Sequence, residues 1–213
     1  EAKNLQRQVY VGNRIKTMNE SIYYNVDEIH QAISQNRLIR FHYYEWTPEK
    51  EMHLRRNGKA YEISPWGLSW DDENYYMVGY DSDAEMIKHF RVDKMLDIII
   101  TDQPRRGKDR FEKFDLANYA KKVFGMFSGE ERTVKMLCEN NLAGAMIDRF
   151  GRDVMIHPSD ERHFIVSAAV NVSPQFFGWL VALGKGVVIE SPEDVKEEFK
   201  EWMGEVMREY ENV

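Results

Sequence analysis

The rhythm of hydrophobic positions changes repeatedly along this 213-residue chain. Residues 1–25 scatter their apolar side chains without a period and read as an arm or connector. A helix is expected behind Asn25, because Asn25-x-x-Glu28 has the spacing of a capping box. Val26, Ile29 and Ile33 would share its inner face, and Asn36 would stop it. From Leu38 the period becomes two: Ile39, Phe41 and Tyr43 alternate with Arg40, His42 and Tyr44. Further strands are expected over 60–70, Tyr75–Tyr80, Met86–Val92 and Leu96–Ile100. Polar turns at 71–74 and 81–83 separate them. Five short strands joined by short turns predict a meander within residues 26–102. A small closed barrel would leave no edge exposed.

Residues 103–130 read as a basic linker and a short helix. Asp115 would cap that helix, with Leu116, Tyr119, Val123 and Phe127 on one side and Ser128-Gly129 as the stop. Behind a boundary near 130 the rhythm alternates between strand and helix. Strands are expected at 133–138, 154–157, 164–172 and 187–190. Helices are expected around Leu142, Met146 and Phe150, behind Ser173-Pro174, and behind Ser191-Pro192. The last carries the stripe Val195, Phe199, Trp202, Val206 and Tyr210. The order β-α-β-β-α-β-α over residues 131–213 is that of a ferredoxin-like sandwich with a terminal helix. The fold class is therefore α+β: a small β-barrel followed by a ferredoxin-like domain.

The composition, 43% apolar and 31% charged, is that of a globular protein. No run is apolar enough for a membrane helix, and no secretory leader opens the chain. A single cysteine, Cys138, excludes an internal disulfide and a multi-cysteine zinc site, and points to the cytoplasm. The formal charge of −7 argues against a chain devoted to DNA. Residues 103–130 nonetheless form a basic island, with seven basic and four acidic side chains. The first residue is not Met, which suggests a piece of a longer protein.

Catalytic chemistry finds little support. The six histidines form no i,i+4 helical pair and no His-Glu-x-x-His, so no metal or other cofactor is expected. Cys138 falls in a strand and reads as a buried thiol. Gly184-Lys185-Gly186 reads as a turn between helix and strand, not as a phosphate loop. Carboxylate pairs such as Asp71/Asp72 or Glu197/Glu201 fall on solvated positions, and an enzyme is not expected.

The sharpest feature is Met86-Ile87-Lys88-His89-Phe90-Arg91-Val92-Asp93-Lys94-Met95. In a strand, His89, Arg91 and Asp93 share one face. One reading is a surface ion pair of small energetic value. The other is an anion site: Arg91 grips a phosphate, His89 adds a donor and Asp93 orients Arg91. Nine tyrosines and tryptophans between 43 and 80, Tyr61 among them, exceed what a small core can enclose. Rings left outside beside arginine could stack nucleic-acid bases.

Three stretches carry a family resemblance. Ile63-Ser64-Pro65-Trp66-Gly67-Leu68, Asn74-Tyr75-Tyr76-Met77-Val78-Gly79-Tyr80 and His89-Phe90-Arg91-Val92-Asp93-Lys94-Met95 resemble the WYL domain in order and spacing. The eponymous triplet falls on Tyr75-Tyr76-Met77 and matches at its middle residue. Residues 131–213 resemble the extension that often follows this domain. The resemblance implies an Sm-like, SH3-type barrel and the sensing of a nucleotide or single-stranded nucleic acid. It also implies a homodimer, and DNA contact through an N-terminal helix-turn-helix, for which the first 25 residues are too few. Its ligand-binding positions fall on Arg91, Lys94 and Tyr43. Ala60 and Tyr61 stand where many members carry an arginine. The candidate ligand set is Tyr43, Tyr61, His89, Arg91, Asp93 and Lys94. A plain dimerisation module without a ligand is the alternative.

Overall fold

The computed structural model describes residues 21–71, 73–111, 116–127 and 129–211. The chain divides between Gly107 and Lys108 into two compact units.

The first unit opens with helix α1 (Ser21–Ser34), then β1 (Arg37–Trp46), β2 (Met52–Leu54), a 3-10 turn (Arg55–Gly58), β3 (Tyr61–Asp71) and β4 (Asn74–Asp81). It continues with β5 (Met86–Arg91), a second 3-10 turn (Val92–Lys94) and β6 (Met95–Pro104). All neighbours are antiparallel, in the order β5-β4-β3-β1-β6, with β2 added along the end of β1. Register shifts in β1 and at Pro65/Gly67 of β3 bend these strands, as bulges do, and the sheet curls. The expected closed barrel is met as a curled antiparallel sheet. Among the described residues no ladder joins β5 to β6, and the 3-10 turn connects them instead. Alternation in β1 buries Ile39, Phe41 and Tyr43 against Ile63, Met77, Phe90, Val92 and Met95, and α1 adds Ile29 and Ala32.

Three expectations for this unit are corrected. The helix starts at Ser21, so Asn25 lies inside it and is not its cap. Asn25 is buried, and its amide donates to the carbonyls of Val92 (3.0 Å) and Met95 (2.9 Å). A polar side chain with two long-range acceptors has no need of a helix end. Secondly, β5 ends at Arg91 and not at Val92, because the chain turns over 92–94. Thirdly, β2 was not expected. All three of its residues are exposed, so no alternation marks it. The connector reading for 1–25 meets helix from Ser21, and residues 1–20 lie outside the described residues. So does Asp72 of the 71–74 turn. The 81–83 turn forms as expected: the Asp81 carboxylate accepts from the backbone N–H of Asp83 (3.0 Å) and of Ala84 (3.2 Å).

The second unit runs α2 (Lys108–Phe111), α3 (Leu116–Lys122), β7 (Glu130–Glu139), α4 (Ala143–Phe150), β8 (Met155–Pro158) and β9 (His163–Val172). It ends with α5 (Pro174–Ala182), β10 (Val187–Ser191) and α6 (Glu193–Glu211). From β7 onward the elements follow the expected order, and the antiparallel sheet runs β10-β7-β9-β8. Its core gathers Val134, Met136, Cys138, Met146, Phe164, Val166, Val170, Phe176, Phe177 and Leu180. Cys138 is fully buried, and burial pushes its thiol up to about 11. Ser173 caps α5 through Phe176 N–H, with Pro174 in the first turn. That device does not repeat before α6, where Pro192 lies outside the helix and its carbonyl accepts from Lys196 N–H (3.2 Å). The expected apolar side of α3 is partly wrong. Val123 and Phe124 are buried behind the helix, while Phe127 is exposed. The Asp115 cap and Ser128 lie outside the described residues. Along α6 the stripe buries Val195, packs Phe199 and Trp202 on the core and leaves Val206 half-buried, but Tyr210 stands in solvent, as does Met207 beside the stripe.

Among the described residues no helix is long and apolar enough to cross a membrane.

Candidate ligand-binding site

The site is built where β5 stops. Buried Val92 and Met95 anchor the two ends of the turn that follows Arg91, and Asn25 ties down their carbonyls. The turn folds Asp93 back onto Arg91. Nε of Arg91 donates to Oδ1 (3.0 Å) and Nη2 to Oδ2 (2.8 Å), a bidentate pair. Asp93 is only 6% exposed. The Arg91 side chain is 34% exposed, so its outer edge reaches solvent. The Asp93 carboxylate, ahead of the opposing effect of burial, holds the Arg91 guanidinium above its ordinary pKa. Asp93 thus fixes the plane of a guanidinium whose Nη1 takes no part in the pair.

Aromatic hydroxyls frame this pair. The Tyr43 hydroxyl accepts from Arg91 N–H (3.1 Å), and Tyr44 donates to the Asp93 carbonyl (3.3 Å). Burial pushes the Tyr43 phenol up to about 12, only partly offset by the Arg91 N–H. The Tyr43 ring meets Tyr61 edge-on, with centroids 6.2 Å apart. Lys94 is held below its ordinary pKa, first by burial and then by the charge of Arg91. Arg55 pushes in the same direction, while Asp93 and Glu45 oppose it.

The structure brings together Tyr43, Tyr61, Arg91, Asp93 and Lys94. His89 keeps the face of Arg91 on β5, opposite Val78. The alternation that put Asp93 on that strand face is corrected, because Asp93 reaches Arg91 through the turn. Lys88, on the other face, pairs with Asp81 (2.6 Å).

Two arginines escaped the sequence reading. The register Tyr44↔Leu54 brings Arg55 beside the end of β1, and its Nε lies 3.4 Å from Glu45. Arg56 lies over the Tyr61 ring, 4.5 Å from its centroid. Arg56 (φ 56°, ψ 31°) and Asn57 (φ 53°, ψ 40°) are both left-handed, ahead of Gly58 at φ 78°. For a residue such as arginine that conformation costs about 1 kcal/mol. The available signal was Arg55-Arg56 next to the turn pair Asn57-Gly58.

The crowd of aromatics splits as expected between core and surface. Tyr43, Tyr44 and Tyr61 are buried, whereas Trp46 and Trp70 are more than half exposed. Trp70 meets Tyr75 edge-on across the β3–β4 hairpin (4.6 Å). Arg105 stacks on Trp66 (4.0 Å), but it is tied to Pro65 and Asn36 and serves the fold.

The WYL domain model matches residues 24–100, and the WCX domain model matches residues 130–207. The chain carries a WYL domain followed by a WCX domain. Among solved structures it is similar to the proteasome accessory factor B/C (PafBC) of Arthrobacter aurescens. That match has 18% identity and a TM-score of 0.36, covering 91% of this chain and 28% of that one. It is also similar to a CRISPR Cas-related protein, with 14% identity and a TM-score of 0.48, covering 90% of this chain and 53% of that one. The chain thus spans well under two thirds of either. Among curated proteins, none matches it. Within the WYL domain the triplet Tyr75-Tyr76-Met77 lies on β4. Tyr76 faces Arg91 across the β4–β5 ladder and Met77 is buried in the core. The WCX match spans β7 to α6.

Proposed function

We propose that this chain is the effector-sensing part of a bacterial DNA-binding transcription regulator, and that it binds a nucleotide or single-stranded nucleic acid on the WYL domain. The observation that carries this reading is the guanidinium of Arg91, locked by a buried carboxylate with one edge left to solvent. Such a fork is suited to a phosphate and asks nothing of base sequence. Tyr43, Tyr61, His89 and Lys94 complete the site, and the role is binding, not catalysis. In this reading residues 1–25 connect to an N-terminal helix-turn-helix, 26–102 form an Sm-like, SH3-type domain, 103–130 are a basic linker and 131–213 are a ferredoxin-like extension. The strand order β5-β4-β3-β1-β6 supports the first assignment, and β10-β7-β9-β8 supports the second. The regulator works in the cytoplasm as a homodimer, without a cofactor.

The test is a titration of a labelled short single strand into this chain at two salt concentrations, beside Arg91→Ala. Binding that weakens with salt and is lost in the variant is the expected result. Equal binding by parent and variant would move the site elsewhere. A second reading, a dimerisation module without a ligand, is favoured by the exposed Met207 and Tyr210 at the end of α6. A dimer by light scattering that binds no oligonucleotide at low salt would select it.

A further inference from the structure

The Arg55–Gly58 turn is out of keeping with its surroundings. None of its residues is buried, so packing does not impose its shape. Yet two successive non-glycine residues are left-handed, and the closing Lys59 N–H bonds back to the Arg56 carbonyl (3.1 Å). The outcome is specific. Arg56 is brought over the Tyr61 ring, and Arg55 is brought to the end of β1.

Both arginines meet the Arg91 cluster through shared neighbours. Tyr61 lies under Arg56 and against Tyr43, and the Tyr43 hydroxyl takes the Arg91 N–H. Lys94 feels the charges of both Arg91 and Arg55, and Arg55 in turn pairs with Glu45 at the end of β1. Four cations therefore face this corner, against the carboxylates of Asp93 and Glu45. Two carboxylates against four cations leave an excess of positive charge at this corner. Arg91 has a fixed plane from Asp93, and Arg56 is held over the Tyr61 ring. Two guanidinium groups held by different supports cannot both converge on one small anion without giving up a support.

We infer that Arg55 and Arg56 form a second arm of the site, so that it grips two successive phosphates of one ligand instead of a single phosphate. This rests on the reading that Arg91 marks the ligand site. The shared chemistry is a pair of linked phosphates, from either the phosphodiester backbone of a short single strand or the anhydride of a nucleoside diphosphate.

The experiment measures binding to the full chain of four probes: inorganic phosphate, a nucleoside monophosphate, a nucleoside diphosphate and a labelled tetranucleotide. Each is titrated at several salt concentrations with the parent, Arg55→Ala, Arg56→Ala, Arg56→Lys and Arg91→Ala. None of the turn residues is itself buried, so circular dichroism should show every turn variant folded. Arg56→Ala should weaken the two-phosphate probes about tenfold. It should also lower the salt slope for the tetranucleotide by about 0.7, the loss of one phosphate contact. Inorganic phosphate and the monophosphate should bind weakly to the parent and be indifferent to the turn variants. Arg56→Lys should keep the salt slope while losing affinity, because the charge remains and the planar two-pronged guanidinium does not. Which of the two linked-phosphate probes binds tighter identifies the source. An unchanged slope in Arg55→Ala and Arg56→Ala, with binding lost in Arg91→Ala, overturns the second arm and leaves the Arg91 site standing. Binding of no probe by the parent, or binding indifferent to Arg91→Ala, overturns both.

Discussion

The two units treat charge differently. Both buried carboxylates among the described residues, Asp81 and Asp93, lie in the first unit, whereas the buried polar residues of the second are the neutral Asn171 and Ser173. The second unit keeps its paired carboxylates in solvent: Asp194 with Arg132, Glu197 with Lys200 (2.6 Å) and Asp160 in contact with the His163 ring (2.9 Å). In the first unit each buried carboxylate has a cation and a task. Burial alone would raise Asp81, but Lys88 and the N–H groups of Ala84 and Asp83 hold it below the usual carboxylate range, and it closes a turn. Asp93 aims Arg91. A charge is worth burying where it must fix the direction of another charge, since a buried pair rarely stabilises more than apolar packing would. A pair in water contributes little and can point anywhere.

Alkali should break both units at once, and this is the largest effect expected. Burial pushes Tyr43 in the first unit and Tyr119 in the second up to about 12. The folded protein holds these protons more tightly than the unfolded chain does. The resulting stability is therefore full below pH 10 and drains as pH rises to about 12. Tyr43 alone accounts for about 2 kcal/mol of that loss. Denaturant midpoints at pH 9 and pH 11.5 measure it, and Tyr43→Phe should remove the first unit's share while leaving that of Tyr119. Next in size is Asp93→Ala. Arg91 would lose its bidentate partner and the first unit about 1 to 2 kcal/mol, less than for a sealed pair because Arg91 touches solvent. The urea midpoint should fall, and the oligonucleotide should bind more weakly although Arg91 is intact. Smallest is Arg132→Ala in the second unit, where the carboxylate partner Asp194 stands in solvent instead of being buried like Asp93, and the midpoint should hardly move. A fall there comparable with that of Asp93→Ala would erase the contrast between the units.

Local periodicity made most elements legible. Ile39, Phe41 and Tyr43 point inward as their alternation requires, as do Val166, Ala168, Val170 and Val172 of β9. What local pattern misses is a side chain whose partner is distant in sequence. Asn25 looks like a cap because the pattern ends there, and its true acceptors are 67 and 70 residues away. The turn after Arg91 has no glycine or proline to announce it, so Asp93 was aligned with the right partner for the wrong geometric reason. Arg55 and Arg56 sit in a stretch with no apolar rhythm, where a charged run reads as solvated surface. Their role became visible only when the β1–β2 register and the Tyr61 ring gave them neighbours.

Asn25 acts as a two-pronged fastener. One amide group holds a carbonyl at each end of the turn that carries Asp93 and Lys94. Rotating or sliding α1 by much more than an ångström would stretch those bonds beyond their range, and would strand two carbonyls away from water. The helix and the turn are therefore coupled mechanically: a ligand that pulls on the turn pulls on α1.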